Sequence, residues 1–136
     1  RAANTLDAMW GHRDERLEAF GWTAARADDL LNAIPAALTA LSYALVGRPL
    51  RGLRCAARQG WQWPSPNAGV VMAGGAGSLG VRVGGASVYG GQRAERPPLG
   101  AGVPPEGAAI ARAVALTERA LILWLVVILI GGWLIG

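Results

Sequence analysis

The 136 residues include 26 alanines, 20 glycines, 13 arginines and no lysine; 52% are apolar, the formal charge is +4 and the mean hydropathy is +0.30. This composition excludes a disordered polar chain. A single cysteine and a single histidine exclude a disulfide framework and a histidine-rich metal site. The arginines are dispersed beside apolar runs, and the aromatic residues do not interleave with them as on a stacking platform, so no nucleic-acid partner is expected.

Residues 1–29 carry most of the acids, including Asp7, Asp14, Glu15, Asp28 and Asp29. The segment reads as mostly helical, with Gly11 and Gly21 as interruptions. Arg13 and Arg16 lie three apart and share a helix face. Asp28, Asp29 and Asn32 offer oxygen atoms at i, i+1 and i+4, with Asp28 and Asn32 on one face. Such a set suits Mg²⁺, which takes a few carboxylates plus water and phosphate oxygens. The plainer reading is a solvated helix capped by an aspartate.

Residues 30–47, LLNAIPAALTALSYALVG, form a candidate membrane helix with a polar seam of Asn32, Thr39 and Tyr43. Arg48, Arg51, Arg54 and Arg58 follow at once, and the positive-inside rule places that loop in the cytoplasm. Arg112 and Arg119 would open the next span from the same side. A full span at 30–47 would put residues 1–29 on the other side. A site shared by both parts requires that helix to be re-entrant, in-plane or packed inside protein.

Residues 61–102 are dominated by glycine. Ser65-Pro66-Asn67-Ala68-Gly69 reads as a turn feeding a helix, with Ser65 or Asn67 either capping it or facing a ligand. Gly75-Ala76-Gly77-Ser78-Leu79-Gly80 satisfies G-x-G-x-x-G, after a possible strand at Val70-Val71-Met72 and ahead of Glu95. A dinucleotide site is nevertheless rejected. That fingerprint opens a helix within a βαβ unit, whereas Gly84-Gly85 and Gly90-Gly91 follow almost immediately. Two readings stand instead. Gly69, Ala73 and Gly77, like Ala76, Gly80 and Gly84, recur at four-residue spacing and make smooth faces for close helix packing in a membrane. Alternatively, a loop beyond Gly80 presents backbone N–H groups beside Arg82 that cradle a phosphate.

At the C-terminus, Pro104-Pro105-Glu106 starts a helix that is amphipathic through Arg112, Glu118 and Arg119. It then enters the 17 uncharged residues from Ala120 to Gly136, against about 20 apolar residues for a full span. Trp124 and Trp133 suit interfacial positions. No Ser-His-Asp set, Cys-His pair or zinc spacing occurs, so His12 and Cys55 are not expected to act as nucleophilic machinery. The expected architecture is an all-α integral membrane protein whose helices are joined by Gly-rich loops. Residues 1–102 form one region, helical with the candidate membrane or re-entrant helix at 30–47 and the Gly-rich segment at 61–102, and a C-terminal amphipathic-to-transmembrane helix spans 103–136.

The stretches NTLDAM (4–9), FGWTAARADDLLNAIPAALTAL (20–41), PSPNAG (64–69), GSLGVRVGG (77–85), Tyr89-Gly90 and RPPLGAG (96–102) occur in one order over nearly all of residues 4–102. In that order they resemble the CobD/CbiB family, the membrane-bound adenosylcobinamide-phosphate synthases of cobalamin biosynthesis. The resemblance implies a C-terminal part of a multi-pass protein of the bacterial inner membrane. It implies an ATP- and Mg²⁺-dependent ligase joining adenosylcobyric acid, the corrinoid substrate, to aminopropanol or its phosphate. Further partners would be the lipid bilayer and other membrane proteins of the pathway. Carried onto this sequence, Asp7, Asp28, Asp29 and Arg82 become catalytic candidates, with Asp28 and Asp29 on metal. Arg13, Arg16, Arg26 and Asn32 become candidates for phosphate or propionate, and Ser65, Asn67, Gly80, Gly84 and Gly85 would shape the pocket. Where many members carry a histidine before PSPNAG and an acid shortly after it, this chain has Trp63 and Val70-Val71-Met72. Two other readings are a non-enzymatic AmpE-like membrane sensor and a helix-packing membrane module.

Overall fold

The computed structural model describes residues 18–89 and 92–136. In chain order these form α1 (Glu18–Val46), α2 (Pro49–Gln59), a 3₁₀ turn (Gly60–Gln62), α3 (Pro66–Leu79), β1 (Arg82–Tyr89), β2 (Gln92–Gly100) and α4 (Gly107–Ile135). The helix expected at 30–47 starts earlier and runs straight through Gly21. One glycine among good helix formers costs only about 1 kcal/mol, too little to stop it. The arginine-rich segment expected as a loop is the helix α2. Pro49 sits at its first turn, and Gly52, Cys55 and Ala56 form its buried stripe while the arginines stay exposed.

Small residues hold the helices together. Asn67 of α3 reaches Asp29 of α1, Gly74 faces Ala40, and Gly47 at the end of α1 faces Ser78, so α1 and α3 run parallel. Gly77 packs on Arg51 and Cys55 while Gly69 packs on Gly60, so α2 runs antiparallel to α3. A β-carbon on Gly77 would lie 2.9 Å from both the Arg51 carbonyl oxygen and the Cys55 β-carbon. The expected smooth face of Gly69, Ala73 and Gly77 is therefore the α2–α3 contact. The second expected face breaks up: Ala76 meets the hairpin, Gly80 ends the helix and Gly84 lies in a strand. On α1 the inward side is Ala36, Ala40 and Ala44, whereas Leu30, Leu31 and Ile34 point outward.

Gly80 closes α3 in the left-handed conformation at φ +72°, and the Val81 N–H donates to the Ala76 carbonyl at 3.0 Å. This position also disposes of the dinucleotide fingerprint, whose glycines fall inside and at the end of a helix rather than at its start. Val70-Val71-Met72, a possible strand by sequence, is part of α3.

The all-α expectation needs correction, because the glycine-rich loop beyond Gly80 is an antiparallel hairpin. Val83 pairs with Leu99 and Gly85 with Arg96, leaving Gly84 opposite Pro97 and Pro98 in a bulge. A two-stranded ribbon has free edges, so prolines without N–H groups are tolerated in it. Gly84 and Gly85 both take φ +90°, which serves the bulge. Leu99, 1% exposed, anchors the hairpin against Cys55 and Ala73. Gln59 then clamps the strand end: its Oε1 accepts from the Gly100 N–H at 2.6 Å and its Nε2 donates to the Gly100 carbonyl at 3.1 Å.

α4 starts after Glu106, as the sequence suggested, and runs antiparallel to α1, with Leu116 beside Gly47 and the Trp124 indole donating to Ser42 Oγ at 3.0 Å. The 21 residues Arg26–Val46 and the 29 residues Gly107–Ile135 are each long and apolar enough to cross a bilayer. Their outer faces carry large exposed apolar side chains, the signature of a surface meant for lipid or protein.

Candidate functional site

The PSPNAG segment forms the entrance to α3. Ser65 occupies the N-cap position and Pro66 the first turn, but the Ser65 side chain makes no capping hydrogen bond. Asn67 does not cap the helix either. Its Nδ2 donates to the backbone carbonyl of Asp29 at 2.8 Å, tying the start of α3 to the acidic turn of α1 across 38 residues of sequence.

That acidic turn is the best-built polar locus among the described residues. Asp28, Asp29 and Asn32 are all half-buried. Asp29 pairs with Arg26 at 3.8 Å in a solvent-accessible ion pair that contributes little to stability. Asp28 Oδ1 is fully shielded and has no hydrogen-bond partner, the one such side-chain atom among the described residues. A buried acceptor in that state calls for a donor or a cation. Asp28 and Asn32 share a face of α1 and offer oxygens of the kind a hard cation takes, while Asp29, one position on, pairs with Arg26. No group of three or more His, Cys, Asp or Glu side chains suited to a metal occurs among the described residues. Asp7, Arg13 and Arg16 lie outside the described residues.

Trp63, immediately before the turn, packs on the core cluster of Cys55, Ala73 and Leu99, and the Arg96 guanidinium lies 5.3 Å from its ring centre. Because Gly85 pairs with Arg96, this contact brings the bulge glycines Gly84 and Gly85 toward the Ser65–Asn67 end of the molecule. Arg82 and Gly80 sit at the opposite end of α3, about 20 Å away by helical rise. There Gly80 lies against the Arg48 guanidinium, and the Arg82 N–H donates to the Val103 carbonyl at 2.9 Å. The sequence-derived set is thus divided. Asp28, Asp29, Asn32, Arg26, Ser65 and Asn67 gather around one helix entrance, and Arg82 with Gly80 stands apart from them.

Sequence reasoning missed Gln59 and Arg96. Arg96 had a signal in the RPPLGAG motif, whereas Gln59 is a lone polar residue at a helix end. Cys55 is buried, and burial pushes its thiol above the ordinary 9.0, against the opposing pull of Arg51 and Arg54.

Comparison with known proteins gives these positions a context. The family model described as "CobD/Cbib protein" matches residues 1–117. The "Cobalamin biosynthesis protein CobD" of Stutzerimonas stutzeri is 55% identical over 134 residues, covering 98% of this chain and 44% of that protein. The protein of the same name from Chromobacterium violaceum is 55% identical over 136 residues, covering 100% and 44%. That of Rhodobacter capsulatus is 46% identical over 123 residues, covering 89% and 39%. The chain therefore spans less than half the length of these relatives. No solved structure matches it. A family model over most of the chain, joined to relatives above one-half identity along its whole length, shows that the chain belongs to the CobD/CbiB family of cobalamin biosynthesis proteins.

Proposed function

We propose that this chain contributes to an ATP-dependent amide ligase, joining a propionate carboxylate of adenosylcobyric acid to the amine of aminopropanol or its phosphate. The enzyme would be a multi-pass protein of the bacterial inner membrane. The observation that carries the reading is the shielded, unpartnered Asp28 Oδ1 beside Asp29, at the start of α3 that Asn67 ties to α1. ATP with Mg²⁺, when bound, supplies the group that activates the carboxylate toward the amine. Asp28 and Asp29 would hold the cation, and Asn32 would support it from the same helix face. The start of α3 points its positive end toward this locus, which favours an anionic ligand there. Arg26, beside Asp29, adds positive charge that would offset phosphate and carboxylate charge as they approach one another.

The test is complementation. The complete gene is placed in a bacterium lacking its cobinamide-phosphate synthase, with cobyric acid as the only corrinoid. Growth that depends on the gene is expected. Asp28→Asn should abolish that growth while leaving protein level and membrane insertion intact. Normal growth with Asp28→Asn would refute the metal-binding role. Failure of the unaltered gene, with the protein shown to be in the membrane, would favour a non-enzymatic relative.

A further inference from the structure

At the far end of α1 from Asp28, about 30 Å away by helical rise, a cleft of about 330 Å³ opens between the α1–α2 turn, the end of α3 and the first turns of α4. Arg48, Arg112 and Arg119 line it from two different elements, with Gly47 and Ser78 among its other lining residues. None of the three arginines forms an ion pair among the described residues. A second cleft of about 420 Å³ adjoins it, sharing Leu79 and Leu116, and is lined chiefly by apolar groups. This second cleft follows α3 from Leu79 back to Val71, between Tyr43 of α1 and Ala113 of α4. The two clefts together offer cationic forks beside an apolar trough: Arg119, the last charge before the uncharged run of α4, lines the first, and Ala109 to Thr117 of α4 line the second.

We infer that this pair of clefts binds an anionic phospholipid, its headgroup phosphate held by Arg48, Arg112 and Arg119 and an acyl chain lying in the trough. Guanidinium groups match phosphate oxygens in paired hydrogen bonds. The trough supplies what a soluble phosphate ester lacks, an apolar tail to bury. This site is independent of the acidic one and of the ligase reading.

The test uses the protein expressed from the complete gene, in detergent, with lipid retention read by native mass spectrometry. Phosphatidylglycerol should be retained over phosphatidylcholine, each arginine being worth roughly fivefold at low salt. The double variant Arg112→Gln/Arg119→Gln should cut that preference by roughly 25-fold, leaving only the share of Arg48. The charge-matched variant Arg54→Gln/Arg58→Gln, on the exposed side of α2, should keep the preference. Ala113→Phe, which fills the trough and removes no charge, should also release phosphatidylglycerol. Equal retention of the two lipids by the unaltered protein would overturn the inference. So would an equal loss in the α2 variant, which would reduce the effect to general surface charge. Displacement of phosphatidylglycerol by millimolar glycerol 3-phosphate would assign the arginines to a soluble phosphate ester and overturn the lipid assignment.

Discussion

Replacing Asn67 by aspartate separates two roles that the sequence left open. As a capping or first-turn residue, aspartate should serve at least as well as asparagine, with about 0.3–1 kcal/mol gained from the positive helix end. The structure leads to the opposite sign, because Asn67 Nδ2 is the donor in the 2.8 Å bond to the Asp29 carbonyl. A carboxylate at that place donates nothing. It forfeits a bond worth about 0.5–1.5 kcal/mol and leaves a half-buried charged group without its partner, at about 1–3 kcal/mol. Set against the helix-end gain, the net loss is about 0.5–4 kcal/mol. Asn67→Ala loses the bond without adding charge, so it should fall between. Thermal unfolding midpoints of the protein from the complete gene, in one detergent, should rank asparagine above alanine above aspartate. An aspartate variant as stable as the original would refute the tether and restore the cap.

Two further substitutions probe packing and titration. Gly77→Ala gains about 1 kcal/mol of helix preference but pushes a methyl group to 2.9 Å from Arg51 and Cys55, an overpacking that costs about 1–3 kcal/mol. It should lower the unfolding midpoint, whereas Gly131→Ala, with open space around it, should not; equal effects would refute the close α2–α3 contact. For Cys55, the raised thiol pKa means that the folded state holds its proton longer than the unfolded one. Stability should accordingly be unaffected by this group below pH 9.0 and decline as the pH rises beyond it, a decline missing in Cys55→Ala. Maleimide labelling of the native protein should be slow at neutral pH; rapid labelling there would contradict the burial.

What could be read from the sequence followed from signals that act locally. The uncharged run after Arg119 and the proline-glutamate start at 104–106 located α4, and the four-residue spacing of Gly69, Ala73 and Gly77 located a close helix contact. The arginine-rich segment misled because its inward stripe is only glycine, cysteine and alanine, which gives little hydrophobic contrast. The hairpin had no visible alternation, since glycines occupy its bulge and two prolines interrupt β2. Its position depends on Gln59 and Leu99, contacts made across long stretches of chain. The candidate site was legible as a list of residues but not as a place. Helical spacing joins Asp28 to Asn32, yet only the fold joins them to Asn67 and leaves Arg82 at the other end of α3.

The crowded Gly47–Ser78 and Gly77–Cys55 contacts carry a consequence for how this sequence can change over time. In a water-soluble domain the interior accepts swaps among bulky aliphatic residues, and charge or polarity is free to drift on the outside. Here the limits trade places. Gly77 has no room for an added carbon, and Ala40, Ala44 and Ala73 are buried beside their neighbouring helices, so selection acts there on volume. Leu30, Ile34, Leu129 and Ile135 stand exposed and are free in shape but constrained in polarity. A library of variants should therefore show an interior that rejects leucine and an exterior that tolerates leucine but rejects serine.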